Sequence, residues 1–279
     1  MSREGTPTGG RPEKDLDWSV RTNIGQKRSS NEDSVAALSV RVGGSHWGNG
    51  LHDILALVVA DGMGGQSSGE VASELSTRVL LKELSSRLVE RIGHHVDYAP
   101  ILRKAFEEAN QRVYEKSLMP EFQGMGTTLV AAVVDEGQLT VANVGDSRAY
   151  LIRTAQREVR QVTKDHSEVQ EKLDRGELRP EEAENYPRKN VVTRNIGTDP
   201  PPTVDVFSVP MGDGHLLLCS DGLTKMLSND EILSCIIGDA AGSTQRLVDR
   251  ANERGGTDNI SVALVREVLR SATIDPPPA

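Results

Sequence analysis

The chain has 279 residues, a net charge of -9 and two cysteines. That length holds one large domain or two small ones with a full hydrophobic core, and the acidic balance argues against nucleic acid as the main partner, since such interfaces need a basic surface. Cys219 and Cys235 are too few for a disulfide framework and form no C-x-x-C, which suits a reducing compartment.

"MSREGTPTGGRPEKD" contains no apolar stretch of signal-peptide length, and no apolar run reaches the ~18 residues of a membrane span; the expected location is cytoplasmic. Residues 1–14 and 269–279 read as flexible tails around a body at 15–268, because Gly, Pro, Ser and charge dominate both ends. The body opens with a strand, "LDWSVRT". An apolar run, Ile54 to Ala60, follows and ends in "DGMGG". "SSGEVASELSTRVLLKELSSRL" predicts an amphipathic helix with Val71, Leu75, Val79 and Leu84 on one side, and Ser67 and Glu70 have capping-box spacing. A second helix covers "APILRKAFEEANQRVYEKSL". "TTLVAAVV", "QLTVANV", "RAYLIR" and "REVRQV" are then short strands, separated by turns so brief that each consecutive pair is expected to form an antiparallel hairpin. "MGDGHLLL" predicts another hairpin turn at Asp213. The charged stretch from Lys164 to Asn190 is expected to project from the sheet. Further strands ("TVDVFSV", "HLLLCS", "NISVALVRE") and helices near "NDEILSCII" and "STQRLVDRANER" complete an α+β fold of sheets covered by helices.

Five acidic places share one design: Glu32 and Asp33 in "SSNEDS", Asp61 in "VVADG", Asp146 in "ANVGDS", Asp221 in "LLLCSDG" and Asp258 in "GGTDNIS". Each stands where an apolar strand begins or ends, beside Gly, Ser or Asn. One such Asp is a turn former. Five converging at one edge of a sandwich would repel one another and raise one another's pKa, a conflict that cations resolve. Carboxylate oxygens, a backbone carbonyl and water are the hard ligands of Mg²⁺ and Mn²⁺, and Gly62, with no side chain, allows its carbonyl to approach an ion. Two such ions can activate a shared water for in-line attack on phosphorus.

"RSSNED", "VVADGMGG", "GMGTTLVAAVV", "ANVGDSRAYLI", "LLLCSDGL" and "GGTDNISVALV" stand in the order and approximate spacing of the metal-dependent PPM (type 2C) protein serine/threonine phosphatases. The chain resembles the bacterial-type members of that family over roughly residues 17–267. The resemblance implies a four-layer αββα sandwich, two antiparallel sheets flanked by helices, with a Mn²⁺ or Mg²⁺ pair at one edge. It implies that Asp61 bridges both ions, that Gly62 offers its carbonyl to one, and that Asp221 and Asp258 complete the other. Glu32 and Asp33 would act directly or through water, and Asp146 with Asp221 would match a weaker third-metal site. Arg28 falls where the family grips the substrate phosphate, so the implied catalytic set is Arg28, Asp61, Asp221 and Asp258. Many eukaryotic members carry a histidine where this chain has Met63; metal-bound water and His166 are the alternative acids here. The implied partners are phosphoserine and phosphothreonine proteins, including a serine/threonine kinase or its targets, and the expected state is a monomer.

Two rival readings differ in chemistry. "GQSSG" (65–69) fits the G-x-S-x-G of a serine hydrolase with Ser67 as nucleophile, but "DGM" separates it from the strand and the sheet reads as antiparallel. A non-catalytic phosphatase-like scaffold would have lost metal ligands, yet every carboxylate is present. No G-x-x-x-x-G-K-[ST] occurs, and Cys219 reads as a core residue.

Overall fold

An antiparallel sheet with one wet face alternates apolar and polar residues, whereas Ile54 to Ala60 is apolar throughout. The computed structural model, which describes residues 14–43, 51–64, 68–90, 96–183 and 185–269, shows why. This run is the middle of β3 (Leu51–Met63), and both of its faces are covered. Ile54, Ala56, Val58 and Ala60 pack toward α1 (Ser68–Glu90) and α2 (Tyr98–Ser117), among Leu84, Leu102 and Phe106. Leu55, Leu57 and Val59 point the other way, into a layer shared with Leu216, Leu218, Ala263 and Val265. A period of two therefore serves two cores at once.

The first sheet holds β2 (Asp33–Gly43), β3, β5 (Leu129–Asp135), β6 (Gln138–Val144) and β9 (Asp205–Pro210) in that order, with the short β4 (Gly126–Thr127) paired to the end of β3. The second runs β1 (Lys14–Asn23), β11 (Ile260–Leu269), β10 (His215–Cys219), β7 (Arg148–Arg153) and β8 (Glu158–Gln161). Every pairing is antiparallel. Against the outer face of the second sheet lie α5 (Asp221–Thr224), α6 (Asn229–Cys235) and α7 (Ala240–Glu253), over Tyr150, Leu217, Val262 and Leu264. The result is the αββα sandwich expected, with three apolar layers. Cys219 is fully buried within one of them.

Three local expectations change. The most deeply buried apolar side chains of α1 are Ala72, Leu80, Leu84 and Leu88, while Val71, Leu75 and Val79 are only partly buried at its flank. The small residues Ala72, Ser73 and Ser76 are buried as well. Secondly, β5–β6 and β7–β8 are hairpins, but β6 and β7 belong to different sheets, so "GDS" is a crossing between layers. Thirdly, the turn at Asp213 joins β9 to β10 and likewise changes sheet. The stretch after β8 carries α3 (Glu168–Asp174) and α4 (Pro180–Ala183) and returns to the body where Thr127 bridges Ile196. Apart from Lys14 and Leu269, which end strands, the expected tails lie outside the described residues, as does Ser67. No helix among the described residues is long and apolar enough to cross a membrane.

Candidate active site

The carboxylates meet because strand ends from both sheets reach one edge of the sandwich. Asp33 and Asp61 are direct cross-strand partners at the ends of β2 and β3, a placement of like charges that disfavours the sheet on its own. Asp146 sits on the crossing from β6 to β7, Asp221 opens α5 after β10, and Asp258 precedes β11. Glu32, Asp61, Asp146, Asp221 and Asp258, with Arg28, Gly62 and Met63, line a cleft of about 510 Å³. Asp33 lies behind it, accepting a 2.8 Å hydrogen bond from the Ser220 hydroxyl.

The backbone around the cleft is tightly constrained. A Cβ on Gly62 would stand 2.2 Å from the Gly69 carbonyl oxygen and 2.5 Å from that of Glu32, so glycine is required here by close packing as well as by any ligand. The Gly62 N–H donates to the Glu32 carbonyl at 3.1 Å. Thr128 accepts from the Asp61 N–H at 3.1 Å. Asn259 fastens the segment bearing Arg28 and Glu32: its amide donates to the Ile24 and Ser30 carbonyls, and its oxygen accepts from the Glu32 N–H.

Charge is left uncompensated on one side of this cleft. Burial, followed by the charges of Asp33, Asp221, Asp146 and Asp258, pushes Asp61 well above the ordinary carboxylate value. Burial also lifts Asp33 and Asp146, each to about 7, despite hydrogen bonds from Ser261 and Ser220 to Asp33. Burial raises Asp221 against the opposing effect of Lys225, and raises Glu32 against that of Arg28. Asp258 alone moves down: burial pushes it up, but Lys225 and Arg28 outweigh burial. Arg28 Nη2 stands 2.7 Å from Asp258 Oδ1 and its side chain is half-exposed, so it borders the cleft with one arm of its fork on Asp258. Buried oxygens without a hydrogen-bond partner include Asp33 Oδ1 and Asp221 Oδ1. Such groups are costly unless something satisfies them.

The donor set fits hydrated divalent cations. Among the described residues no three His, Cys, Asp or Glu side chains form a ready-made cage. Mg²⁺-like ions retain several waters and take only one or two carboxylates, so oxygens distributed around a cleft suit them.

His166 stands elsewhere. It is buried, accepts from the Gly145 N–H on Nδ1 at 3.0 Å, and has Asp205 and Arg194 at Nε2, each at 3.2 Å. Burial lowers its pKa. It ties the Asp146 turn to the base of the 164–197 excursion and does not line the cleft, which removes it as the acid. Lys225 is the residue that the motifs did not single out: its ammonium contacts both Asp221 and Asp258. The readable signal was its spacing of four from Asp221 on a helical turn. A second groove of about 660 Å³ continues from the cleft past Asp146, Asp221 and Lys225 beneath α3, lined by Arg148, Leu173 and Asn185 among others.

Comparison with known proteins agrees with this geometry. Residues 27–265 match the family profile described as protein phosphatase 2C. The serine/threonine phosphatase stp of Listeria monocytogenes is 40% identical over 257 residues, covering 89% of this chain and 95% of its own. The solved Streptococcus agalactiae serine/threonine phosphatase superposes with a TM-score of 0.75 at 32% identity, over 90% of this chain and 99% of that one. The catalytic domain of the phosphatase PstP, solved in complex with two manganese ions, gives a TM-score of 0.73 at 32% identity, over 92% of this chain and 100% of that one. With the sandwich, the carboxylate cleft and these likenesses in agreement, the chain belongs to the protein phosphatase 2C family.

Proposed function

We propose that the chain hydrolyses phosphoserine and phosphothreonine in proteins at the cleft between its two sheets, using two Mn²⁺ or Mg²⁺ ions. The observation that carries this reading is the convergence of Glu32, Asp61, Asp146, Asp221 and Asp258 in one cleft, with a buried Asp221 oxygen and a buried Asp33 oxygen left unpartnered. A divalent pair supplies Lewis-acid charge and an activated water, so no protein nucleophile is needed. Asp61, the Gly62 carbonyl, Asp221 and Asp258 would hold the two ions. Glu32 and Asp33 would act through water or directly, and Asp146 would offer a further carboxylate beside Asp221. The Arg28 guanidinium, half-exposed at the cleft, orients the phosphate by a bidentate contact. Asn259 and Thr128 keep the carboxylate-bearing segments in place. The substrates are phosphoproteins, including a serine/threonine kinase or its targets; the protein works as a cytoplasmic monomer.

The test is hydrolysis of a phosphothreonine peptide with and without Mn²⁺. Activity is expected to need the added ion, to vanish with EDTA, and to be indifferent to serine-directed inhibitors. Full activity after rigorous chelation would overturn the reading.

A further inference from the structure

The two halves of the cleft are not chemically alike. On the Asp61 side no ion pair reaches the carboxylate among the described residues. On the other side Lys225 Nζ lies 2.6 Å from Asp221 Oδ2 and 3.0 Å from Asp258 Oδ2. Asp258 Oδ1 is engaged as well, by Arg28 at 2.7 Å and by the Asn259 N–H at 3.0 Å. The placement of Lys225 is built into the backbone. Its N–H closes a helical turn on the Asp221 carbonyl at 2.8 Å, and residues four apart on such a turn share a face. The side chain is thus aimed back at Asp221 by the same turn that presents Asp221 to the cleft.

We infer that Lys225 is an internal competing cation for the Asp221–Asp258 half of the cleft, so that the two halves bind divalent ions with unequal affinity. This inference rests on the divalent-ion reading above. An incoming ion needs carboxylate oxygens that the ammonium already holds, and exchange must proceed oxygen by oxygen. A tethered competitor cannot be diluted away, because its effective concentration is set by the chain that carries it. The unpartnered Asp221 Oδ1 remains open to an ion, so the competition weakens this half without closing it. Occupancy of the Asp221–Asp258 side then follows the free divalent-ion concentration, while the Asp61–Gly62 side fills first.

The experiment is calorimetric Mn²⁺ titration of the full chain after chelation and dialysis, with no substrate present. Wild-type protein is expected to show two classes of site. Lys225→Met and Lys225→Gln should each tighten the weaker class by about tenfold or more, since a unit charge at contact distance is a large opposing interaction, and leave the tighter class in place. Lys225→Arg, which keeps the charge, should stay close to wild type, and so should Lys104→Met, a loss of charge at an exposed position in the first half of α2. Thermal unfolding of each variant accompanies the titration; Lys225→Gln and Lys225→Met remove the charge at a size close to that of lysine while Lys225→Arg keeps it, which separates competition from loss of packing. Unchanged or weaker Mn²⁺ binding in both neutral variants overturns the inference. So does equal tightening of both classes, which would mark a general field effect. A wild-type chain that binds no Mn²⁺ would instead bring down the divalent-ion reading itself.

Discussion

Strands β3 and β5 carry buried or half-buried carboxylates at both ends of the sandwich, and the two ends treat them in opposite ways. At the end away from the cleft, Asp135 is fully served by the chain: His52 Nε2 lies 2.6 Å from one oxygen, and the Tyr98 hydroxyl donates to the other at 2.6 Å. The Asp135 hydrogen bond holds His52 above its ordinary pKa, and burial with the same carboxylate pushes Tyr98 far up. At the cleft, Asp61 faces Asp33 across the sheet, and one oxygen each of Asp33 and Asp221 has no partner. A carboxylate that the chain satisfies stabilises the fold, whereas a cluster left unsatisfied is held at the fold's expense and needs an external cation.

Neutralising the two ends should therefore have opposite consequences. Asp61→Asn or Asp221→Asn is expected to nearly abolish turnover on a phosphopeptide while the chelated protein stays folded, because a ligand is lost but a repulsive charge leaves the cleft. Circular dichroism and thermal unfolding beside kinetics check this, and an unfolded variant would make these aspartates structural. Next in size comes Arg28→Ala. Loss of a charged hydrogen bond to phosphate should cost ~1.5–3 kcal/mol, roughly tenfold to more than a hundredfold in kcat/KM. The half-saturating Mn²⁺ concentration should barely move. Wild-type kcat/KM would return Arg28 to the solvated surface.

The far end is expected to respond in stability instead. Asp135→Asn weakens a charged hydrogen bond to His52 and should cost ~1–3 kcal/mol of unfolding free energy, read by denaturant titration, with kcat unchanged in the folded fraction. A fall in kcat matching that of Asp61→Asn would erase the contrast between the two ends.

The smallest effect sharpens the comparison through pH. Asp33 and Asp146 are lifted from 3.8 to about 7 in the folded chain, so the fold binds protons more tightly than the unfolded chain does. Their contribution to stability is full below ~4 and is lost as pH rises through about 7. His52, also raised, loses its contribution in the same direction, above its own ordinary value. His166 and His215 are lowered by burial and act oppositely, favouring the fold as pH rises through the usual histidine range. In EDTA, Asp146→Asn should flatten the decline in Tm between pH 5 and pH 8 (roughly the window set by these groups), and Mn²⁺ should flatten it in the wild type. An identical slope in variant and wild type would remove Asp146 from the charged cluster.

Much of this was legible in the residues because it is local or periodic. Short apolar runs bounded by turn residues marked the strands, and the turn-forming neighbours of Asp61, Asp146, Asp221 and Asp258 placed each at a strand end. What stayed hidden depends on which elements face one another. The "GDS" and "GDG" turns have the length and composition of hairpins, and nothing local says that each steps from one sheet to the other. That step appears only in the long-range pairings: β7 pairs with β10 and β10 with β11, while β6 pairs with β9. His166 shows the same limit: in sequence it is one polar residue among several in "TKDHS", and only the fold buries it against Gly145 and Asp205.

By itself the sequence determined the strand and helix succession, the unbroken apolar run of Ile54 to Ala60, and a set of acidic turns chemically suited to hard cations, because propensity, periodicity and ligand type reside in neighbouring residues. Only the tertiary structure decided that those turns share one edge, that Asp135 is sealed by His52 and Tyr98 while Asp61 is not, and that Lys225 lies between Asp221 and Asp258. Charge compensation between residues up to hundreds of positions apart is set by a few ångströms of packing, a distance that linear spacing does not encode.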